Sequence, residues 1–224
     1  MPNDAVEWSH PMPRATVVRS RDDLLRRLLR GKNLLHVGCA DAPLADDVER
    51  NLLHHVLMDY AASVIGLDID VPTLSELRRR GAAGPLVGAS AHELPFRPET
   101  FDCVLLGEVI EHLGSPEPTL HECKRVVRAG GSIVITTPSA FSLLHTAHAL
   151  LRNVERVHPD HVAAYSPRML ASLLARAGLT PVAWWSYVAQ GERERSLLAG
   201  AISVFARLRP FSAPGIVVVA EKHG

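Results

Sequence analysis

A chain of 224 residues, 47% apolar and 21% charged, has enough nonpolar sequence for a substantial core and too little polar bias for disorder. Its 24 basic and 24 acidic side chains cancel, so no global field gathers a polyanion, and nucleic acid is not an expected partner. Cys39, Cys103 and Cys123 form no C-x-x-C pair and are odd in number, which points to a reduced, cytoplasmic protein rather than a disulfide scaffold. The amino terminus lacks the apolar run of a signal peptide, and the longest helix-like apolar stretch, Ser196 to Ala206, is about half the ~20 residues of a membrane span.

Residues 1–19 are Pro-rich and aperiodic and read as an arm ahead of a single domain over 20–224. Ser20 can cap a helix from Arg21 to Arg30, with Asp22 and Asp23 in its first turn and Gly31 past its end. Strand-like apolar runs then recur at Asn33 to Val37, Ser63 to Asp68, Pro85 to Ala89, Phe101 to Gly107, Ser132 to Thr137, Val182 to Trp185 and Gly215 to Glu221. Helical patterns separate them at Leu44 to Ala61, Pro72 to Arg80, Glu117 to Arg128, Phe141 to Leu151, Pro167 to Ala177 and Glu194 to Leu208. This alternation predicts an α/β fold: a doubly wound, Rossmann-like, seven-stranded and mostly parallel sheet with helices on both faces.

Open α/β sheets bind ligands at the carboxyl ends of their strands, so those ends hold the candidate site. Gly38 follows the first strand, where a missing Cβ lets the backbone approach a ligand closely. Asp68 ends the second strand, placed to accept hydrogen bonds from ribose hydroxyls, while Asp70 could equally be the cap of the next helix. The fourth strand ends at Gly107 in a cluster of Glu108, Glu111 and His112. Two carboxylates and an imidazole there could serve as a base, bind a metal, or only cap a helix and hold a loop.

These segments resemble class I S-adenosylmethionine-dependent methyltransferases, of the type 11 and type 23 kind. The resemblance runs through L-L-H-V-G-C-A-D-A-P (34–43), V-I-G-L-D-I-D (64–70), A-S-A-H-E-L-P-F (89–96) and F-D-C-V-L-L-G-E-V-I-E-H-L (101–113). The H-P-x-H segment His158-Pro159-Asp160-His161, followed by Tyr165-Ser166-Pro167, extends it. It implies an antiparallel final strand and S-adenosylmethionine held by the turn His36, Val37, Gly38 and Cys39. It further implies Asp68 on the ribose, Ile69 against the adenine, Ser90 and Ala91 at the adenine edge, and Gly107 beneath the cofactor. Three departures stand out: His36 replaces an acidic residue, Ala40 and Ala42 replace glycines, and Ser90 replaces an acid.

The implied chemistry is in-line methyl transfer to a small metabolite or glycoside, most simply to oxygen, with His112 and His161 as catalytic candidates. The pattern E-x-x-E-H is also similar to that of metal-assisted 2′-O-methyltransferases of small RNAs and of ubiquinone-pathway O-methyltransferases. On that likeness Glu108, Glu111, His112 and His161 would hold Mg²⁺ or another divalent ion. Two further alternatives are a non-catalytic S-adenosylmethionine-binding partner subunit and a nicotinamide-dependent Rossmann oxidoreductase. The second lacks its G-x-G-x-x-G turn. Nothing in the pattern sets the oligomeric state.

Overall fold

The computed structural model describes residues 14–40, 53–81, 84–154, 157–189 and 205–222. Among these residues eight strands form one sheet: β1 Ala15–Ser20, β2 Asn33–Val37, β3 Ser63–Asp68, β4 Leu86–Gly88, β5 Phe101–Gly107, β6 Val127–Pro138, β7 Leu179–Ala189 and β8 Gly215–Lys222. The helices are α1 Arg21–Leu29, α2 Leu53–Met58, α3 Val71–Arg79, α4 Pro116–Val126, α5 Leu143–Arg152 and α6 Pro167–Arg176. The helix expected from Leu44 is therefore described only from Leu53, and of that expected over 194–208 only residues 205–208 are described, as helix. Ala42 also lies outside the described residues.

Strand order is β1-β7-β8-β6-β5-β2-β3-β4. Starting from β2 the chain winds outward through β3 and β4, then returns to β5 and winds the other way. The switch point thus falls between the carboxyl ends of β2 and β5, whose pairing is parallel. β8 runs antiparallel to both β6 and β7, as expected of the final strand.

The amino-terminal segment expected to be an arm instead ends in a strand. Ala15–Ser20 is an eighth strand, paired in parallel with β7 from Ala15 opposite Trp184 to Ser20 opposite Ala189. The β-branched run Thr16-Val17-Val18 suits an extended edge, but the Pro-rich sequence before it hides so short a pattern. Its pairing also places Ser20, the cap of α1, at a strand's carboxyl end. The Ser20 side chain accepts the Asp23 N–H at 3.2 Å.

Alternation along the strands divides the core. Leu35, Val37, Val104, Leu106, Ile133, Ile135, Ile216 and Val218 face α4 and α6, which contribute Leu120, Cys123, Leu170 and Leu174. Leu34, Cys103, Leu105, Val134 and Val217 face the other way, onto Leu24, Leu25 and Leu29 of α1 and Leu57 of α2. Each such side chain is all but fully buried, an arrangement in which one residue of register slip would exchange the two faces. The Leu94-Pro95-Phe96 segment is clamped to α4. Glu122 accepts the Leu94 N–H at 2.8 Å, and Arg125 donates to the Phe96 and Leu94 carbonyls at 2.8 and 2.9 Å. That clamp fixes the loop leading out of β4, which carries Ser90 and Ala91.

Candidate active site

A cavity of about 650 Å³ opens where the switch point predicts, over the carboxyl ends of β2, β3, β4 and β5. Gly38, at the first of these ends, has φ +74°, and a Cβ on it would lie 2.2 Å from the Val109 Cγ2. Both the left-handed backbone and the close approach of the β5 loop require glycine. The Gly38 and Cys39 N–H groups donate to the Leu67 carbonyl at 2.8 and 3.2 Å, turning the chain tightly across β3.

Asp68 ties two of the strand ends together. One carboxylate oxygen accepts the Ala40 N–H at 2.9 Å and the other accepts the Asp70 N–H at 3.0 Å. Each oxygen keeps a further acceptor site, so the carboxylate can hold its loops and still take a hydroxyl hydrogen bond. Beside it Ile69 is 75% exposed and lines the cavity. Asp70 caps α3, accepting the Thr73 N–H at 3.1 Å. The Ser90 Oγ accepts the His92 N–H at 3.2 Å, and Ala91 lies next to it on the cavity wall.

The floor holds a buried histidine pair. His36, which replaces the usual acid, stacks on His54 with ring centroids 5.5 Å apart and an Nδ1–Nδ1 distance of 3.3 Å. Only one proton fits between those nitrogens, so the rings take opposite tautomers. Burial, then His54 and then Arg21, holds the His36 pKa well below the imidazole range, while burial and then His55 lower that of His54 to about 4. Both are neutral near pH 7. Cys39 is inert as a nucleophile, because burial and then Asp68 push its thiol up to about 12.

The groups beyond Gly107 part company. Glu108 sits at φ +56° and turns into the sheet edge, where its Oε1 accepts from the Thr136 hydroxyl at 2.7 Å and the Tyr187 hydroxyl at 2.9 Å. An Arg21 guanidinium nitrogen lies 3.8 Å from the same oxygen. Glu111, 1% exposed, accepts from the Thr137 hydroxyl at 3.1 Å, and burial followed by the Glu108 charge raises its pKa. Its other oxygen lies 4.0 Å from the His161 Nε2. His112 and His161 meet edge to face, with ring centroids 4.5 Å apart.

Of the four expected metal ligands, then, His112 and His161 converge, Glu111 lies behind His161, and Glu108 is committed to Thr136 and Tyr187. Among the described residues, the group whose donor atoms do gather is His112, His158 and His161. Sequence reasoning missed Arg21, His54 and His158 as cavity residues. Recognising β1 as a parallel strand would have exposed Arg21, since it follows that strand's carboxyl end. His54 packs against His36 from the helix α2.

A doubly wound sheet whose antiparallel last strand lies between two others, with a ligand cavity at the switch point, is the architecture of a class I methyltransferase. Residues 35–135 match the methyltransferase-domain family, and the fold is that of class I S-adenosylmethionine-dependent methyltransferases. A Mycolicibacterium smegmatis protein named "Probable S-adenosylmethionine-dependent methyltransferase" is 30% identical over 66% of this chain and 52% of its own length. The ubiquinone biosynthesis O-methyltransferase of Rhizobium etli is 29% identical over 71% of this chain and 64% of its own. The chain thus spans between half and two thirds of these curated relatives. Its fold is shared with an S-adenosylmethionine-dependent methyltransferase structure from Thermotoga maritima, at TM-score 0.62 and 17% identity over 91% of this chain and 88% of that one. The same fold carries the cyclase SpnF, at TM-score 0.56 and 18% identity over 90% of this chain and 80% of that one.

Proposed function

We propose that this protein transfers a methyl group from S-adenosylmethionine to an oxygen of a small metabolite or glycoside. The observation that carries the proposal is the switch-point cavity, with the Asp68 carboxylate and the uncovered Ile69 side by side on its wall. An exposed isoleucine beside an acceptor carboxylate suits an adenosine, whose base is apolar on its faces and whose ribose donates hydroxyls. Gly38 keeps the backbone low at the floor, and Ser90 with the Ala91 N–H offers polar partners to a base edge. Arg21, in the cavity wall, offers a cation to a carboxylate.

S-adenosylmethionine, when bound, supplies a methyl already activated by the sulfonium. The chain must then hold an acceptor in line and accept its proton. That role for His112 and His161 is supported by their place in the cavity lining. The His161 pKa is lowered by burial, then by His112 and His158, which keeps its ring free to take a proton near neutral pH. Oxygen as the acceptor is supported by the name of the Rhizobium etli relative. A cytoplasmic setting is supported by three unpaired, buried cysteines, and among the described residues no helix is long and apolar enough to cross a membrane.

A second reading, a non-catalytic subunit that binds S-adenosylmethionine, is favoured by His36 and Ala40 standing where the family carries an acid and a glycine. A nicotinamide-dependent oxidoreductase does not account for the antiparallel β8. A metabolite screen with methyl-labelled S-adenosylmethionine separates these readings. Label transferred to an acceptor establishes the enzyme, binding without transfer to any acceptor favours the subunit, and binding of NADH in place of S-adenosylmethionine overturns both.

A further inference from the structure

A general base needs one imidazole, yet three meet at the cavity mouth. His112 comes from the tight turn at 110–112 after β5, and His158 and His161 from the loop ahead of α6. Backbone bonds hold the two segments together: the Val162 and Ala163 N–H groups both donate to the Glu111 carbonyl, at 2.9 and 3.1 Å. The His161 N–H donates to the His158 carbonyl at 3.0 Å, closing the turn that puts both rings on one side. The three ring centroids lie 4.5, 5.7 and 5.6 Å apart, and one nitrogen from each ring lies within 4.8 Å of the others. Behind them Glu111 is 1% exposed, and its Oε1 is buried without a hydrogen-bond partner, 4.0 Å from the His161 Nε2.

We propose that His112, His158 and His161 form a three-imidazole site for one divalent transition-metal ion, of the zinc, cobalt or nickel class. The site takes its remaining ligands from the cavity side. Metal–nitrogen bonds of about 2.1 Å bring three donors to within roughly 3–3.5 Å of one another, which here asks only a small ring rotation. His112 and His158 are exposed, and the His158 Nδ1 accepts the Asp160 N–H at 3.3 Å. An all-nitrogen donor set discriminates against Mg²⁺, which demands oxygen ligands, and so changes the ion expected from the acidic pattern of the sequence. Glu111 then has the place of the outer carboxylate that orients a ligating histidine, which accounts for a buried oxygen left without a partner. Open positions on the cavity side would meet an acceptor oxygen, a contact that alone rests on the methyl-transfer proposal.

The test is titration of the chelator-stripped full chain with Co²⁺, read by visible absorption and calorimetry, with Zn²⁺ and Mg²⁺ as competitors. One Co²⁺ per chain is expected, displaced by stoichiometric Zn²⁺ but not by a hundredfold excess of Mg²⁺. His112→Ala, His158→Ala and His161→Ala should each weaken binding at least tenfold, and Glu111→Gln by about 10- to 100-fold. Circular dichroism and S-adenosylmethionine affinity, read on the same samples, control for folding. Absence of Co²⁺ binding, or affinity unchanged in all three histidine variants, overturns the site. Metal binding that persists while S-adenosylmethionine fails to bind would instead strike only at the methyl-transfer proposal.

Discussion

Asp68 lines the cavity and braces two backbone turns, and one substitution tests both. Its carboxylate accepts the Ala40 and Asp70 N–H groups and keeps a further acceptor site on each oxygen. Asp68→Ala should therefore weaken S-adenosylmethionine binding and also lower stability by about 1–3 kcal/mol, since two backbone donors lose a charged acceptor. Calorimetry and urea unfolding measure the two effects. An unchanged dissociation constant would place the ribose elsewhere.

The histidines divide by burial into a structural pair and an accessible set. His36 and His54 are neutral when folded but take up protons on unfolding as pH falls below about 6.5. Their folded pKa values are depressed, so the unfolded state binds more protons in the window from 6.5 down to about 4. Stability is full above that window and falls through it, by on the order of 3 kcal/mol at pH 4 from His54 alone. Urea midpoints from pH 7 to 4.5 should show the slope, and a His36→Leu, His54→Leu double variant should flatten it. An equal slope in that variant would assign the acid sensitivity to other groups. At the cavity mouth, His112→Ala should cost about 10²–10⁴ in turnover while leaving S-adenosylmethionine affinity within a few-fold. Full turnover in both His112→Ala and His161→Ala would remove imidazole from the chemistry.

Among the elements, β1, β7 and β8 meet around one hydrogen-bonded knot. Tyr187 on β7 donates to Glu108 at the end of β5, and Arg21, just past β1, stands beside the same carboxylate. Gly215 opens β8 opposite Tyr187, and a Cβ on it would fall 2.0–2.3 Å from three atoms of the phenol. Gly215→Ala should therefore drive the ring out and break its bond to Glu108. We expect a loss of at least about 2 kcal/mol, in the range of overpacked cores. In a Tyr187→Ala background the same change should cost far less, and denaturant unfolding of the four proteins gives the coupling. Additive losses would show that Gly215 meets some other obstacle.

At the scale of the molecule, the two core faces hold the sheet, while the cavity loops extend beyond it and gain from a ligand. S-adenosylmethionine and S-adenosylhomocysteine should each raise the melting temperature, equivalent to about 2.7 kcal/mol at one hundred times the dissociation constant. NADH should not. A melting curve indifferent to both at high micromolar concentration would remove the cofactor.

The sequence by itself determined the alternation of strands and helices, because burial on a sheet and on a helix face imposes different periods on the same chain. It also determined that Gly38, Asp68, Ile69, Ser90 and Gly107 lie at strand ends, since each closes or follows an apolar run. These are local signals. What only the tertiary structure decided depends on contacts between distant segments. The strand at Ala15–Ser20 owes its place to an edge on β7 some 165 residues later. Glu108 looked like a partner for His112 because it lies four residues before it, but its left-handed backbone turns the side chain to Thr136 and Tyr187. His158 joins His112 because the Glu111 carbonyl captures two N–H groups of a loop some 50 residues away. Spacing along a chain predicts which residues share a face within one element. Which side chains meet across elements follows from strand order and backbone direction, which local periodicity does not encode.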